Sequence, residues 1–423
     1  MLRPIMIYNL FPRLAGYIEN WHIHAQRAKD MGFNVVYVNP IQFPGFSGSL
    51  YSVKDYYRYN PQFFRSKSVA DQEKEIRAFT EFCHQAGLQV LMDLVINHTA
   101  VDCVLIQSNP QWYLYDKKGN IVHPGAYQKG VKIVEWGDLA EIDNQHSKDK
   151  TGLWEYWKKL VRHMVGMGFD GFRCDAAYQV PAELWKELID EARRINPGAL
   201  FLAETLGCTT AQTGRTAKAG FDYIFNSSKY WDFKAPWCLK QYSTFRKISS
   251  SVSFPESHDT TRLYKDVDGN SAEVKKRYLF SALFSGGVMI PTGFEYGFKN
   301  KLDVVTTTPF NWEPVNFDFS GFIAQVNAVK SSCTIFHTDS AIKEIRNDDP
   351  RVFVMQKSDH GVKALVAINK DAKDHARFFQ EDLYKLLNAD KVEDISPDWG
   401  GEPVPRKYEY WLRPSQAKVF VTC

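Results

Sequence analysis

The sequence predicts a TIM barrel, eight parallel strands ringed by helices, and three observations carry that expectation. Short apolar, β-branched runs alternate with amphipathic stretches over the first three quarters of the chain, the rhythm of a parallel sheet with helical crossovers. About eight such units can be counted, which is the number that closes a barrel. At 423 residues the chain is long enough for one large barrel with small additions.

The strands are expected at 4–9, 34–39, 89–96, 170–175, 199–204, 221–226, 252–257 and 287–291, each an apolar run bounded by turn residues. The helices between them show their inner faces: Leu153, Trp157, Leu160, Val161 and Met164 recur at helical spacing, and Leu184, Leu188 and Ile189 repeat the stripe one unit later. Between the third and fourth strands, residues 98–150 bring polar residues, Gly119, Gly125, Gly130 and scattered aromatics instead of one helix, which reads as an insertion. After a helical stretch at 322–329 the pattern turns to short strands at 351–356, 362–369 and 417–421, separated by polar turns. The expected division is a barrel at 1–98 and 151–335, a small inserted domain at 99–150 after strand three, and a β-rich, sandwich-like C-terminal domain at 336–423.

Composition narrows the class of function. With 52 basic and 49 acidic residues the formal charge is +3, too slight to call for a nucleic-acid partner or a membrane surface. Aromatic content of 14% suits either a ring-lined sugar cleft or a large core. The seven cysteines, Cys83, Cys103, Cys174, Cys208, Cys238, Cys333 and Cys423, are odd in number and contain no CxxC pair, so neither a zinc site nor a complete disulfide framework is expected. A reducing, cytoplasmic setting follows. The opening stretch MLRPIMIYNLFPRLAGY carries Pro4, Pro12 and Arg13, unlike a signal-peptide core, and no later run is long enough to span a bilayer. Nothing in the sequence sets an oligomeric state.

Barrel active sites sit at the C-terminal strand ends, and four such ends are rich in polar groups: DLVINH with Asp93, Asn97 and His98, GFRCD with Arg173 and Asp175, LAET with Glu204, and FPESHD with His258 and Asp259. On strand four, alternation puts Arg173 and Asp175 on one face and Phe172 and Cys174 on the other. The arginine is expected to keep the aspartate ionised, as a nucleophile requires, although a structural ion pair reads equally well. Glu204 closes an apolar strand, where burial is expected to favour the protonated form of a general acid; capping of the next helix is the plain alternative. His258 and Asp259 read as a loop pair or as site residues, and as a metal site only if further ligands converge. Together, two carboxylates on neighbouring strands, one ionised and one protonated, are what acid-assisted displacement at an anomeric carbon needs, with Asp259 placed to balance charge growing on the sugar.

In order and in strand position, DLVINH, GFRCDAA, LAET and FPESHD resemble the four conserved regions of the α-amylase family, glycoside hydrolase family 13. The resemblance runs through residues 4–335 and extends to the insertion and the β-rich C-terminal part. It implies a retaining enzyme acting on an α-glucan, with α-1,4 hydrolysis and sugar transfer as alternatives; a non-catalytic carbohydrate-binding protein is the competing class. Asp175 is implied as nucleophile, Glu204 as acid and base, and Asp259 as transition-state stabiliser. Arg173 is implied to orient Asp175, His98 and His258 to hold sugar hydroxyls, and Tyr51, in SLYSVKDYYRYNP, to stack on the sugar; loop packing is the other reading of Tyr51. Arg262 matches a position near the site and reads equally as a surface charge. WGDLAEIDN resembles the family's extra region, with Asp138 and Leu139 shaping the cleft, and IPTGFEYG resembles the turn after the eighth strand. Two departures matter. Calcium-dependent members carry lysine and histidine three and four positions after the nucleophile, where this chain has Tyr178 and Gln179, so no metal or other cofactor is expected, and Asp93 and Asn97 read as structural hydrogen-bonding groups. Ser257 replaces the asparagine common before the histidine of the fourth region.

Overall fold

The structure is a computed structural model in which residues 4–128, 131–398 and 400–422 are described; Gly130 and Cys423 lie outside them. Eight parallel strands close the barrel: β1 (Ile5–Leu10), β2 (Val35–Val38), β3 (Gln89–Leu94), β4 (Gly171–Cys174), β5 (Leu200–Ala203), β6 (Tyr223–Phe225), β7 (Ser250–Ser253) and β8 (Gly287–Pro291). Each pairs with its neighbours in sequence, and β8 returns to β1 with Ile5 opposite Gly287. The expected barrel is therefore present.

Alternation along the strands builds two cores. Ile5, Ile7, Val35, Tyr37, Leu91, Leu202, Phe225 and Val252 fill the barrel interior. Met6, Val36, Met92, Phe172, Cys174 and Ala203 face outward into a larger cluster with Leu153, Trp157, Leu160, Leu184 and Leu188, the stripes of helices Lys150–Gly166 and Ala182–Ile195. Each such side chain taken out of water contributes roughly 1.5–3 kcal/mol against the entropy of ordering the chain. Gly171 opens β4 at φ +147°, and a Cβ there would strike the carbonyl oxygen of Leu200, its partner on β5. Glycine thus lets β4 and β5 pair from their first residues, which sets the register of Asp175 and Glu204.

One strand departs from expectation. The seventh was expected at 252–257 and spans Ser250–Ser253, so FPESHD lies wholly in the following loop. The cause is a polar layer inside the barrel: Asn226 Nδ2 donates to the hydroxyls of Ser251, Ser253 and Ser285, each at 2.9 Å. Serines satisfied in this way need no apolar pattern to be buried.

After β3 the chain leaves the barrel. His98–Ala100 pairs antiparallel with Leu139–Glu141, and a hairpin of Gly125–Gln128 with Val131–Glu135 lies between them. Beyond helix Ser320–Ser332 follows an antiparallel sheet, in which Ala341–Ile345, Val352–Asp359, Val362–Asn369, Ala417–Thr422 and Val392–Asp394 are neighbours in that order. Phe353, Met355, Val366 and Ile368 join the core shared with the barrel helices, whereas Val354, Leu365 and Phe420 pack on Phe378, Tyr408 and Leu412. No helix among the described residues is long and apolar enough to cross a membrane.

Candidate active site

The polar strand ends converge on one guanidinium. Arg173 points inward from β4, as the alternation with Phe172 and Cys174 requires, and its Nη1 reaches Asp93 Oδ1 at 2.9 Å and Asp175 Oδ1 at 2.8 Å, while Nη2 reaches Glu204 Oε2 at 3.0 Å. Asp93, at the end of β3, is buried and also accepts the hydroxyls of Tyr37 and Tyr51. It is the floor of the site.

Glu204 is held from two sides. Its backbone N–H donates to the carbonyl of Cys174 at 3.1 Å, and its Oε2 accepts the Ala176 N–H at 2.8 Å. Ala176 sits at φ +39°, in the left-handed region, a conformation that costs a non-glycine residue about 1–3 kcal/mol and tends to persist at functional sites. The side chains of Asp175 and Glu204 remain 12% and 17% exposed, whereas that of Asp259 is 54% exposed at the cleft mouth.

The electrostatics differ from the sequence expectation that Arg173 simply keeps Asp175 ionised. Burial, reinforced by Glu204 and Asp93, raises the Asp175 carboxyl well above its usual range, and Arg173 pulls only partly against it. One guanidinium serves three carboxylates, so its pull on Asp175 is outweighed by burial and by the neighbouring charges. Although Asp259 is open to the cleft, the protein around it pushes its carboxyl up as well, against Arg173 and Lys301.

Two buried histidines complete the floor. Burial lowers His98 and His258 to about 4, so both rings are neutral at pH 7. Neither ring nitrogen of His98 has a hydrogen-bond partner among the described residues, nor has Nδ1 of His258. Tyr51 lies parallel to His258, ring centroids 5.7 Å apart, with its hydroxyl 2.7 Å from Nε2. Tyr51 gives its one proton to Asp93, so His258 Nε2 is the donor in that contact, and Nδ1 is left as a bare acceptor.

Arg262 is corrected by its surroundings. It is neither a surface charge nor a cleft residue: its side chain is 1% exposed, and it binds Glu256 at 2.8 Å and the carbonyls of Asn300 and Thr292. Glu256 in turn accepts the Leu263 N–H. The pair staples the loop that carries His258 and Asp259.

Asp93 and Asn97 turn to different hydrogen-bond partners. Asp93 is spent on Arg173, Tyr37 and Tyr51, and Asn97 donates through Nδ2 to Gln179 at 3.1 Å. Asn97 Oδ1 has no hydrogen-bond partner among the described residues. Among the described residues no three His, Cys, Asp or Glu side chains are grouped to hold a metal. Sequence reasoning passed over Tyr37 and Asn39. Asn39 donates to the Tyr51 hydroxyl at 3.0 Å, and the signal was there in VVYVN, where alternation puts Tyr37 and Asn39 on one face.

Known proteins share sequence and fold with this chain. The sequence model of the glucanotransferase domain of glycogen debranching enzyme matches residues 1–118. The chain is 24% identical over 390 residues to the α-1,4-glucan:maltose-1-phosphate maltosyltransferase of Burkholderia pseudomallei, covering 87% of this chain and 33% of that protein. It is 24% identical over 371 residues to a cyclomaltodextrinase of a Bacillus species, covering 83% of this chain and 65% of that protein. The chain thus spans a third of the first relative and just under two thirds of the second. The fold is shared with the α-amylase of Lactobacillus plantarum, at a TM-score of 0.78 and 20% identity over 100% of this chain and 99% of that one. It is shared equally with the α-amylase of H. orenii, at a TM-score of 0.79 and 16% identity over the whole of both chains. The relatives and structural neighbours are enzymes of the α-amylase family, glycoside hydrolase family 13, and the chain is similar to them in sequence and shares their fold.

Proposed function

We propose that the protein is a retaining enzyme that cleaves α-1,4-glucosidic bonds of maltooligosaccharides or α-glucans through a covalent intermediate on Asp175. The observation that carries this reading is the sharing of Arg173 by Asp175 and Glu204. One guanidinium draws both carboxylates to the same barrel end, where a retaining enzyme needs a nucleophile and an acid side by side.

The steps start with Glu204 carrying a proton and Asp175 ionised, the forms that a general acid and a nucleophile need. Glu204 gives its proton to the glycosidic oxygen as the bond to the anomeric carbon breaks, and an Asp175 oxygen bonds to that carbon. Glu204, now ionised, takes a proton from the incoming hydroxyl, which displaces Asp175. Asp259 and the polarised floor offset the positive charge on the ring. The unpartnered nitrogens of His98 and His258 suit sugar hydroxyls, with Tyr51 packed beside them, while Arg173 orients the carboxylates and Arg262 holds the loop of Asp259.

Transfer to a sugar is the second reading, because the relatives include both a maltosyltransferase and a cyclomaltodextrinase. The six described cysteines are free thiols, which supports a cytoplasmic setting. Incubation with a maltooligosaccharide series, followed by chromatography, tests the proposal. Shorter products support hydrolysis, products longer than the substrate support transfer, and no product at all contradicts both and favours a binding protein.

A further inference from the structure

A cavity of about 490 Å³ opens between the loops after β6 and β7, walled by Lys229, Tyr230, Pro255, Asp259, Thr260 and Thr261 among others. That volume falls within the range of small-ligand pockets, and its shared wall with the candidate site is Asp259. Tyr230 stands out within it. The residue is 62% exposed, yet its backbone is fixed on both sides. The Ser228 N–H donates to Asn226 Oδ1 and its hydroxyl to Ser253, both at 3.0 Å. Trp231, 2% exposed, anchors the other side through Nε1 to the Ala235 carbonyl. Lys229 spans to the Pro255 carbonyl at 3.3 Å and ties the two loops together. A large open aromatic residue on a stiff turn, inside a concavity that also presents Asp259, Thr260, Thr261 and Asp266, is a preorganised surface.

The topology says which side of the reaction it serves. The strand order places β6 between β5, which ends at Glu204, and β7, whose loop carries Asp259. A general acid stands beside the leaving oxygen, so the sugar beyond that oxygen departs on the Glu204 side of the rim, where the β6 loop is the next surface it meets. We propose that Tyr230 is the platform for the leaving or accepting sugar unit of an α-glucan, and that by holding an acceptor there it sets the partition between transfer and hydrolysis. The inference rests on the retaining reading above. The apolar C–H face of a glucosyl ring covers the Tyr230 ring, and its hydroxyls meet Thr260 and Thr261. An acceptor seated in this way displaces water from the glycosyl-enzyme, and its hydroxyl replaces water as the group that displaces Asp175.

The test is to supply a maltooligosaccharide donor with increasing maltose as acceptor and to measure the acceptor KM and the ratio of transfer to hydrolysis products. Tyr230→Ala is expected to raise the acceptor KM about tenfold and to lower the ratio by a similar factor; Tyr230→Phe, which keeps the ring, restores both to within about twofold. An acceptor KM and ratio unchanged in Tyr230→Ala overturn the proposal, as does a Phe variant as impaired as the Ala variant, since the hydroxyl and not the ring face would then be the contact. Failure of the unaltered protein to process any donor sinks the retaining reading and this proposal together, whereas turnover with an indifferent Tyr230→Ala sinks this proposal alone.

Discussion

The N–H of Ala176 donates to Oε2 of Glu204 across 2.8 Å, and Ala176 is the residue that directly follows Asp175. The backbone that carries Asp175, the proposed nucleophile, therefore also fixes Glu204, the proposed acid. The contact depends on the left-handed conformation of Ala176, φ +39°. A β-branched side chain tolerates that conformation poorly and glycine tolerates it freely. Ala176→Val is expected to lose about 1–3 kcal/mol of stability in urea unfolding and about tenfold in turnover, while Ala176→Gly keeps both. A valine variant as stable and active as the parent would show that this strain is immaterial.

The buried histidines predict a pH dependence of stability. Both His98 and His258 are lowered to about 4 by burial, whereas unfolded histidine titrates near 6.5. Between those values the unfolded chain binds more protons than the folded one. Stability is therefore full above about pH 6.5, falls as pH drops toward 4 and levels off below that. At roughly 1.4 kcal/mol per pKa unit the loss is a few kcal/mol for each ring. Chemical unfolding between pH 4 and 7 should show a shallower slope in His98→Asn, and an identical slope would remove this ring from the account.

Arg262 and Glu256 form a fully buried pair, each side chain 1% exposed. Breaking one half strands the other charge, so Arg262→Leu is expected to cost about 3–5 kcal/mol. Arg262→Leu combined with Glu256→Gln should lose less than the two single variants together. A double-variant loss equal to the sum of the two single losses would mean that the pair is not coupled, which a double-mutant cycle measures directly.

The sequence made most of this site legible because chemistry in a barrel is confined to strand ends. Alternation around Phe172 and Cys174 was enough to aim Arg173 and Asp175 inward, and Leu202 with Ala203 marked the strand that delivers Glu204. What stayed hidden depends on contacts between distant segments. The end of β7 was obscured because its serines are buried through Asn226 and Ser285 instead of by apolar pattern. Arg262, in the polar stretch HDTTR, gives no sign of burial until Glu256 folds back on it. The division of one guanidinium among Asp93, Asp175 and Glu204 requires three strands to be in register, which no single motif records.

The roles of the two carboxylates separate by leaving group. Asp175→Asn removes the proposed nucleophile and is expected to abolish turnover of every donor. Glu204→Gln should lose about 10²–10⁴-fold on maltooligosaccharides but far less on an α-maltosyl fluoride, whose leaving group needs no proton. Equal losses on both donors in Glu204→Gln would deny it the role of acid.

Anomer-resolved NMR of a maltooligosaccharide digest, begun before mutarotation sets in, tests the central claim most directly. A covalent intermediate on Asp175 inverts the anomeric carbon twice, so newly formed reducing ends appear first as the α-anomer and any transfer product keeps an α linkage. Early release of the β-anomer would contradict the two-step displacement and with it the assignment of Asp175 as nucleophile.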